Sequence, residues 1–162
     1  MTGYDWSRFP VVVDAGAEEV PEMVRRALGV LEDLLLATNH GCTFTLADGP
    51  LVDGDVATSV TALLPAGCRV DVLSLAEAWT PLVRSALPAR FIPSELASHD
   101  VPMGVVRALA DWTEALLGLI WPESAPSWTV EVECPGWYEG SYLDVAVLAG
   151  DRMWLLHLGV SD

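Results

Sequence analysis

"EVPEMVRRAL" occupies Glu19 to Leu28, and "DVPMGVVRAL" occupies Asp100 to Leu109. At this offset of 81 residues, positions 19–36 align with 100–117 without a gap, and eight of the eighteen pairs are identical. Average residue usage gives roughly one or two identities by chance. The match has physical content, because apolar residues recur at helical spacing in both copies. Val24, Ala27, Leu28, Leu31 and Leu35 follow the i, i+3, i+4, i+7 rule, and Val105, Ala108, Leu109, Trp112 and Leu116 occupy the same positions in the second copy. Pro21 and Pro102 fall where a helix tolerates a missing N–H. Glu18 and Glu19, or Asp100, put negative charge at the positive end of the helix dipole. The spacing predicts amphipathic helices over 18–39 and 100–120. Arg26 and Arg107 lie off the apolar faces, with Glu22 and Asp111 four residues away as ion-pair partners.

Outward from the helices the two halves keep a common pattern. "RFP" (8–10) and "RFIP" (90–93) precede them. "TFTL" (43–46) corresponds to "SWTV" (127–130), and Ala66-Gly67-Cys68-Arg69 corresponds to Ala149-Gly150-Asp151-Arg152. In the second half Trp128, Val130, Val132 and Cys134 alternate with Thr129, Glu131 and Glu133, the period of a strand with one wet face. "SYLDVAVLA" and "RMWLLHLGV" flank Gly150-Asp151, a hairpin connection. The first half reads likewise, with strands near 42–47, 55–64 and 68–74. "AEAWTPLVRSAL" (76–87) reads as a helical connector, bent at Pro81, within a linking segment 76–89.

The expected fold class is therefore α+β. Two tandem repeats, about 8–75 and about 90–160, each consist of a helix and a three-stranded meander. An internal pseudo-two-fold relates them, and helices pack on antiparallel sheet within a single compact domain spanning 1–162. Either repeat alone has a marginal core, whereas two can bury their apolar faces on each other.

Composition sets the boundaries for function. Just over half of the 162 residues are hydrophobic, which excludes global disorder. The longest apolar runs, "LLLA" (34–37) and "ALLGLIW" (115–121), are far shorter than a membrane span, and "MTGYDWSRFP" does not read as a signal peptide. A cytoplasmic protein without a membrane partner is the expectation. Cys42, Cys68 and Cys134 are few, odd in number and far apart, so no disulfide framework is expected. The formal net charge is −15, there is no lysine, and only Arg25 and Arg26 of the eight arginines are adjacent. Direct nucleic-acid binding needs clustered cations and is disfavoured. A basic protein partner suits the charge.

Familiar chemistries do not fit the spacing. "ADGPLVDGDV" (47–56) lacks the order and the closing glutamate of a calcium loop, and reads as a glycine-rich connection. His40 with the three cysteines has no zinc spacing; His40-Gly41 reads as a helix stop and Cys134 as core. No nucleophile motif or phosphate-cradling loop is present, His157 reads as a partly buried, satisfied histidine, and Asp100 after His99 reads as a helix cap. No catalytic residue, metal or cofactor is assigned.

The aromatic residues differ between the halves. Leu31, Phe44 and Asp71 give way to Trp112, Trp128 and Trp154, which are expected to fill core. "CPGWYEGSY" (134–142) adds Trp137 and Tyr138 between turn residues, where burial is not guaranteed. Exposed aromatics beside carboxylates are typical interface anchors. Trp137, Tyr138, Glu139, Glu131 and Glu133 are therefore the expected partner-binding residues. The functional expectation is a non-catalytic acidic binding protein for a basic macromolecule, inhibitor-like, immunity-like or DNA-mimicking. Sheet edges offer a route to a homodimer. The alternative is a small-molecule-binding or enzymatic domain with its pocket between the repeats.

Overall fold

The computed structural model describes residues 18–37, 41–87 and 103–161. In chain order the elements are α1 (Val20–Leu36), β1 (Cys42–Pro50), α2 (Val56–Thr61), β2 (Arg69–Ala76), α3 (Trp79–Ala86), α4 (Met103–Ile120), β3 (Ser127–Glu133), β4 (Ser141–Ala149) and β5 (Arg152–Val160). The five strands form one sheet in the order β1-β5-β4-β3-β2, with every neighbouring pair antiparallel. The protein is α+β. The "RFP" and "RFIP" segments, His40, His99 and Asp100 lie outside the described residues.

The second half is a helix followed by a meander, with β4 and β5 joined through Gly150 in the left-handed region at φ 65°. The first half departs from that plan. Residues expected as a strand over 55–64 contain α2 instead, capped by Asp55, whose carboxylate accepts the Thr58 N–H at 2.9 Å. β1 and β2 do not pair; they lie at opposite edges of the sheet. The expected meander over 42–74 is corrected accordingly, and the structure does not confirm the tandem repeat with its pseudo-two-fold.

The helices differ in the same sense. α1 buries Val24, Ala27, Leu28, Leu31 and Leu35, as its spacing requires. α4 buries Val106, Ala110, Thr113, Leu116 and Leu117, while Val105 is 52% exposed. Its buried stripe is turned by about one residue, roughly 100°, from the aligned positions. α4 is apolar over much of its circumference, so its sequence permits more than one phase. Arg26 pairs with Glu22 at 3.2 Å, whereas Arg107 has no ion pair among the described residues.

The sheet separates two cores. On one face Leu28, Leu31 and Leu35 of α1 join α4 and α3 over Phe44, Val145, Val147, Leu156 and Leu158. Trp121 is fully buried there and meets Trp79 and Trp154 edge-on, at centroid distances of 5.2 and 6.5 Å. Trp112 and Trp128 are only half-buried, so of the three expected core tryptophans Trp154 alone is enclosed. α3 begins at Trp79, so Pro81 falls in its first turn, where the missing N–H costs little and no bend is needed. On the other face Val60 of α2 and Leu64 just after it pack against Val130, Ala146, Met153 and Leu155. Asp48 accepts from Arg25 at 2.6 Å and also from Arg152, tying α1 to β1 and β5.

Cys68 and Cys134 form a disulfide, contrary to expectation, with Cα atoms 4.2 Å apart. Pairing of Arg69 with Glu133 in the β2–β3 ladder places the next residues outward opposite each other. Their separation of 66 residues hid this. Cross-linking so long a loop restricts the unfolded chain strongly. In oxidising buffer Cys134→Ser, which cannot form the bridge, is expected to unfold at lower urea concentration than the wild type, with stability reduced by about 2–4 kcal/mol; a midpoint equal to the wild type's contradicts the bridge.

Candidate functional site

Register places the chemistry. Asp144 on β4 sits opposite His157 on β5, and His157 sits opposite Thr45 on β1. Cross-strand partners point to the same face, so the three form a row across adjacent strands. This is the face that α2 covers, since Leu155 and Ala146 also lie on it. The β3–β4 ladder ends at Val130 and Asp144. Beyond that point the Val132 N–H donates to the side-chain hydroxyl of Tyr142 at 3.1 Å rather than to the β4 backbone. The strands part, and the connection 134–140 has room to fold back over the row.

Asp144 is 1% exposed, and a buried carboxylate requires partners. It has two. His157 Nδ1 lies 2.6 Å from Oδ1, and the Tyr138 hydroxyl donates to Oδ2 at 2.7 Å. On the other side of the ring, His157 Nε2 lies 3.6 Å from Glu139 Oε1, an ion pair longer than a hydrogen bond. Burial of the ring is the largest single influence and opposes the charged form. The hydrogen bond and charge of Asp144, then the charge of Glu139, together exceed it and hold His157 above its ordinary value of 6.5. Burial first, then the charge and hydrogen bond of Asp144, push the Tyr138 phenol far up, so it stays a donor. Tyr142 completes the group, edge-on to Tyr138 at 4.9 Å and stacked beside His157 at 6.5 Å.

Gly159 makes this packing feasible. A Cβ there would lie 2.6 Å from His157 Nε2 and 2.8 Å from Glu139 Cγ, closer than atoms can approach. Both groups therefore occupy the space that a side chain on β5 would fill.

Above the row lies a cavity of about 370 Å³. β1 and β5 form its floor with Thr43, Thr45 and His157; the segment 63–66 and the 134–139 loop form its walls. Trp137 lines it while remaining 74% exposed. Glu139 also lines it, with a side chain only 8% exposed, and its Oε2 has no hydrogen-bond partner among the described residues.

The five residues singled out in sequence do not form one patch. Trp137, Tyr138 and Glu139 belong to the cavity loop, but Tyr138 and Glu139 turn inward and Trp137 outward. Glu131 and Glu133 are exposed and alternate with Val130 and Val132, so they project from the opposite face of the sheet. Glu133 is bound to Arg69 at 2.6 Å. The residues that sequence reasoning passed over are Asp144, Gly159 and Thr45. A lone aspartate inside "SYLDVAVLA" was the available signal, because a charge in an otherwise apolar strand needs a partner. His157, read as a satisfied histidine, is buried and paired. Among the described residues no group of three or more His, Cys, Asp or Glu is placed to hold a metal ion.

Comparison with protein-family models, with curated proteins and with solved structures returns no match to this chain.

Because its folded pKa is raised, His157 contributes stability that is fully present below about 6.5 and lost as pH rises through the folded value. Urea unfolding of the wild type should therefore show stability falling from neutral toward alkaline pH. His157→Gln should remove that fall, and an identical slope in both proteins excludes His157 as its source. Gly159→Ala should displace the His157 and Glu139 side chains and lower the His157 midpoint in an NMR titration, while an unmoved midpoint contradicts the packing.

Proposed function

We propose that this chain is a binding protein that engages a basic macromolecular partner through the 134–139 loop and the cavity beside it. The observation carrying this reading is Trp137, a large aromatic left 74% exposed at a cavity that is also lined by the buried carboxylate of Glu139. Aromatic anchors of this kind supply much of the energy of protein interfaces. The net charge of −15 steers a cationic partner toward the protein. Glu131, on the far face, contributes to that field rather than to the contact. An inhibitor of a nucleic-acid-handling enzyme, or a neutraliser of a basic toxin, is the specific form of the proposal. Among the described residues no helix is long and apolar enough to cross a membrane. A cytoplasmic site of action requires the loop to keep its place with Cys68 and Cys134 reduced.

A second reading, a ligand-binding or enzymatic domain, draws on the Asp144–His157 pair at the cavity. The cavity lies on the α2 face of the sheet rather than between two repeats. The two carboxylates stabilise a protonated ring, which suits holding charge better than accepting a proton.

The test uses short lysine- and arginine-rich peptides, with acidic peptides of equal length as controls. Wild type should bind the basic set, more weakly at high salt. Trp137→Ala should leave thermal unfolding unchanged and weaken binding by about 2–4 kcal/mol. Equal affinity of the folded variant removes the loop from the interface, and indifference to peptide charge overturns the reading.

A further inference from the structure

We propose that the cavity beside the 134–139 loop is a socket for one cationic side chain, an aliphatic stem ending in a guanidinium or ammonium group, with Glu139 as its counter-charge. This rests on the reading of the chain as a binder of basic partners and names what the partner inserts.

The distribution of charge selects the ligand. Asp144 is fully engaged, with one oxygen facing His157 and the other accepting from Tyr138. Glu139 faces His157 through Oε1 only, at 3.6 Å. With all three groups in their charged forms, one imidazolium faces two carboxylates, a formal excess of one negative charge. That surplus has an address, because Glu139 Oε2 is buried without a partner among the described residues. A buried unsatisfied acceptor is unfavourable by about 1–3 kcal/mol, and more when charged. A donor carrying positive charge relieves it; a neutral ligand relieves it less, and an anion worsens it. Glu139 lines the cavity, and the terminal torsion of a glutamate is soft enough to turn Oε2 toward it.

The walls fit the rest of such a side chain. The cavity, about 370 Å³, is small for a ligand pocket, whose usual range is roughly 300–1,000 Å³. Leu63, Pro65, Ala66 and Leu155 give it apolar surface suited to methylene groups, and Thr45 places a hydroxyl on its β1 side. Trp137 adds an aromatic ring, a favourable neighbour for a cation. Occupancy has a second consequence. Glu139 helps to keep His157 charged, together with Asp144. Tyr138 and Tyr142 are the other titratable groups against the ring. A cation that draws on Glu139 weakens its support of the imidazolium, so filling the socket lowers the His157 midpoint.

The test titrates the full chain with N-acetyl-arginine methylamide and N-acetyl-lysine methylamide, followed by NMR at the Trp137 indole and the His157 ring. N-acetyl-citrulline methylamide is the neutral control of similar shape. The cationic probes should shift both signals saturably, and the citrulline probe should bind about tenfold more weakly or less. Glu139→Gln, which keeps the shape and removes the charge, should weaken the cations by about tenfold or more. The His157 midpoint should fall at saturation in the wild type, a readout that does not depend on the variant folding. Equal binding of citrulline, retained affinity in folded Glu139→Gln, or an unmoved midpoint at saturation overturns the socket. If the probes fail while basic peptides still bind through Trp137, the socket is wrong and the partner reading stands. If both fail, both fall.

Discussion

β5 is the strand on which the rest of the molecule depends. It pairs with β1 on one side and β4 on the other, and Met153 to Gly159 are buried throughout. An apolar strand buried on both faces must have both edges satisfied, since unpaired N–H and C=O groups away from water are costly. The chain meets this demand by bringing β1, from the first half, across to the strand that ends the second. That choice excludes a local meander over 42–74 and carries β2 to the far edge, where it pairs with β3.

The same strand organises the site. Placement between two strands puts Asp144 and Thr45 in register on either side of His157, and Gly159 leaves the room that Glu139 occupies. A lone imidazole at this depth would lose its charge to desolvation. Two carboxylates reverse that preference, and one of them, Asp144, is itself kept in place by Tyr138. Such a network is stable only while its members remain paired. Glu139 is the exception: its Oε2 has no partner among the described residues, and it lies where the loop borders the cavity.

The loop owes its position to anchors at both ends and one within. Cys134 is bridged to Cys68, and Pro135 packs close to Gly67, whose φ of 88° suits a residue without a side chain. At the far end the Gly140 N–H donates to the Val160 carbonyl at 3.0 Å. Between these points Tyr138 is drawn inward by Asp144. Trp137, its chain neighbour, faces outward, which is how two adjacent aromatics come to have different surroundings.

By itself the sequence determined the element types wherever one local rule dominated. The stripe of α1, the alternation of β3 and the Gly150-Asp151 connection were legible because periodicity and turn chemistry act over a few residues. The α+β class followed from them. Over 55–64 two local signals competed, and the cap made by Asp55 on Thr58 prevailed over the strand pattern. Which way α4 turns, which strands become edges, and which cysteines meet were decided by tertiary structure. An extensively apolar helix carries no strong phase of its own. Antiparallel ladders can close many ways with similar local energies until β5 requires partners on both sides. The aromatic loop was visible as composition, whereas the Asp144–His157 pair was not, because thirteen residues and a hairpin separate two side chains that only strand register brings together.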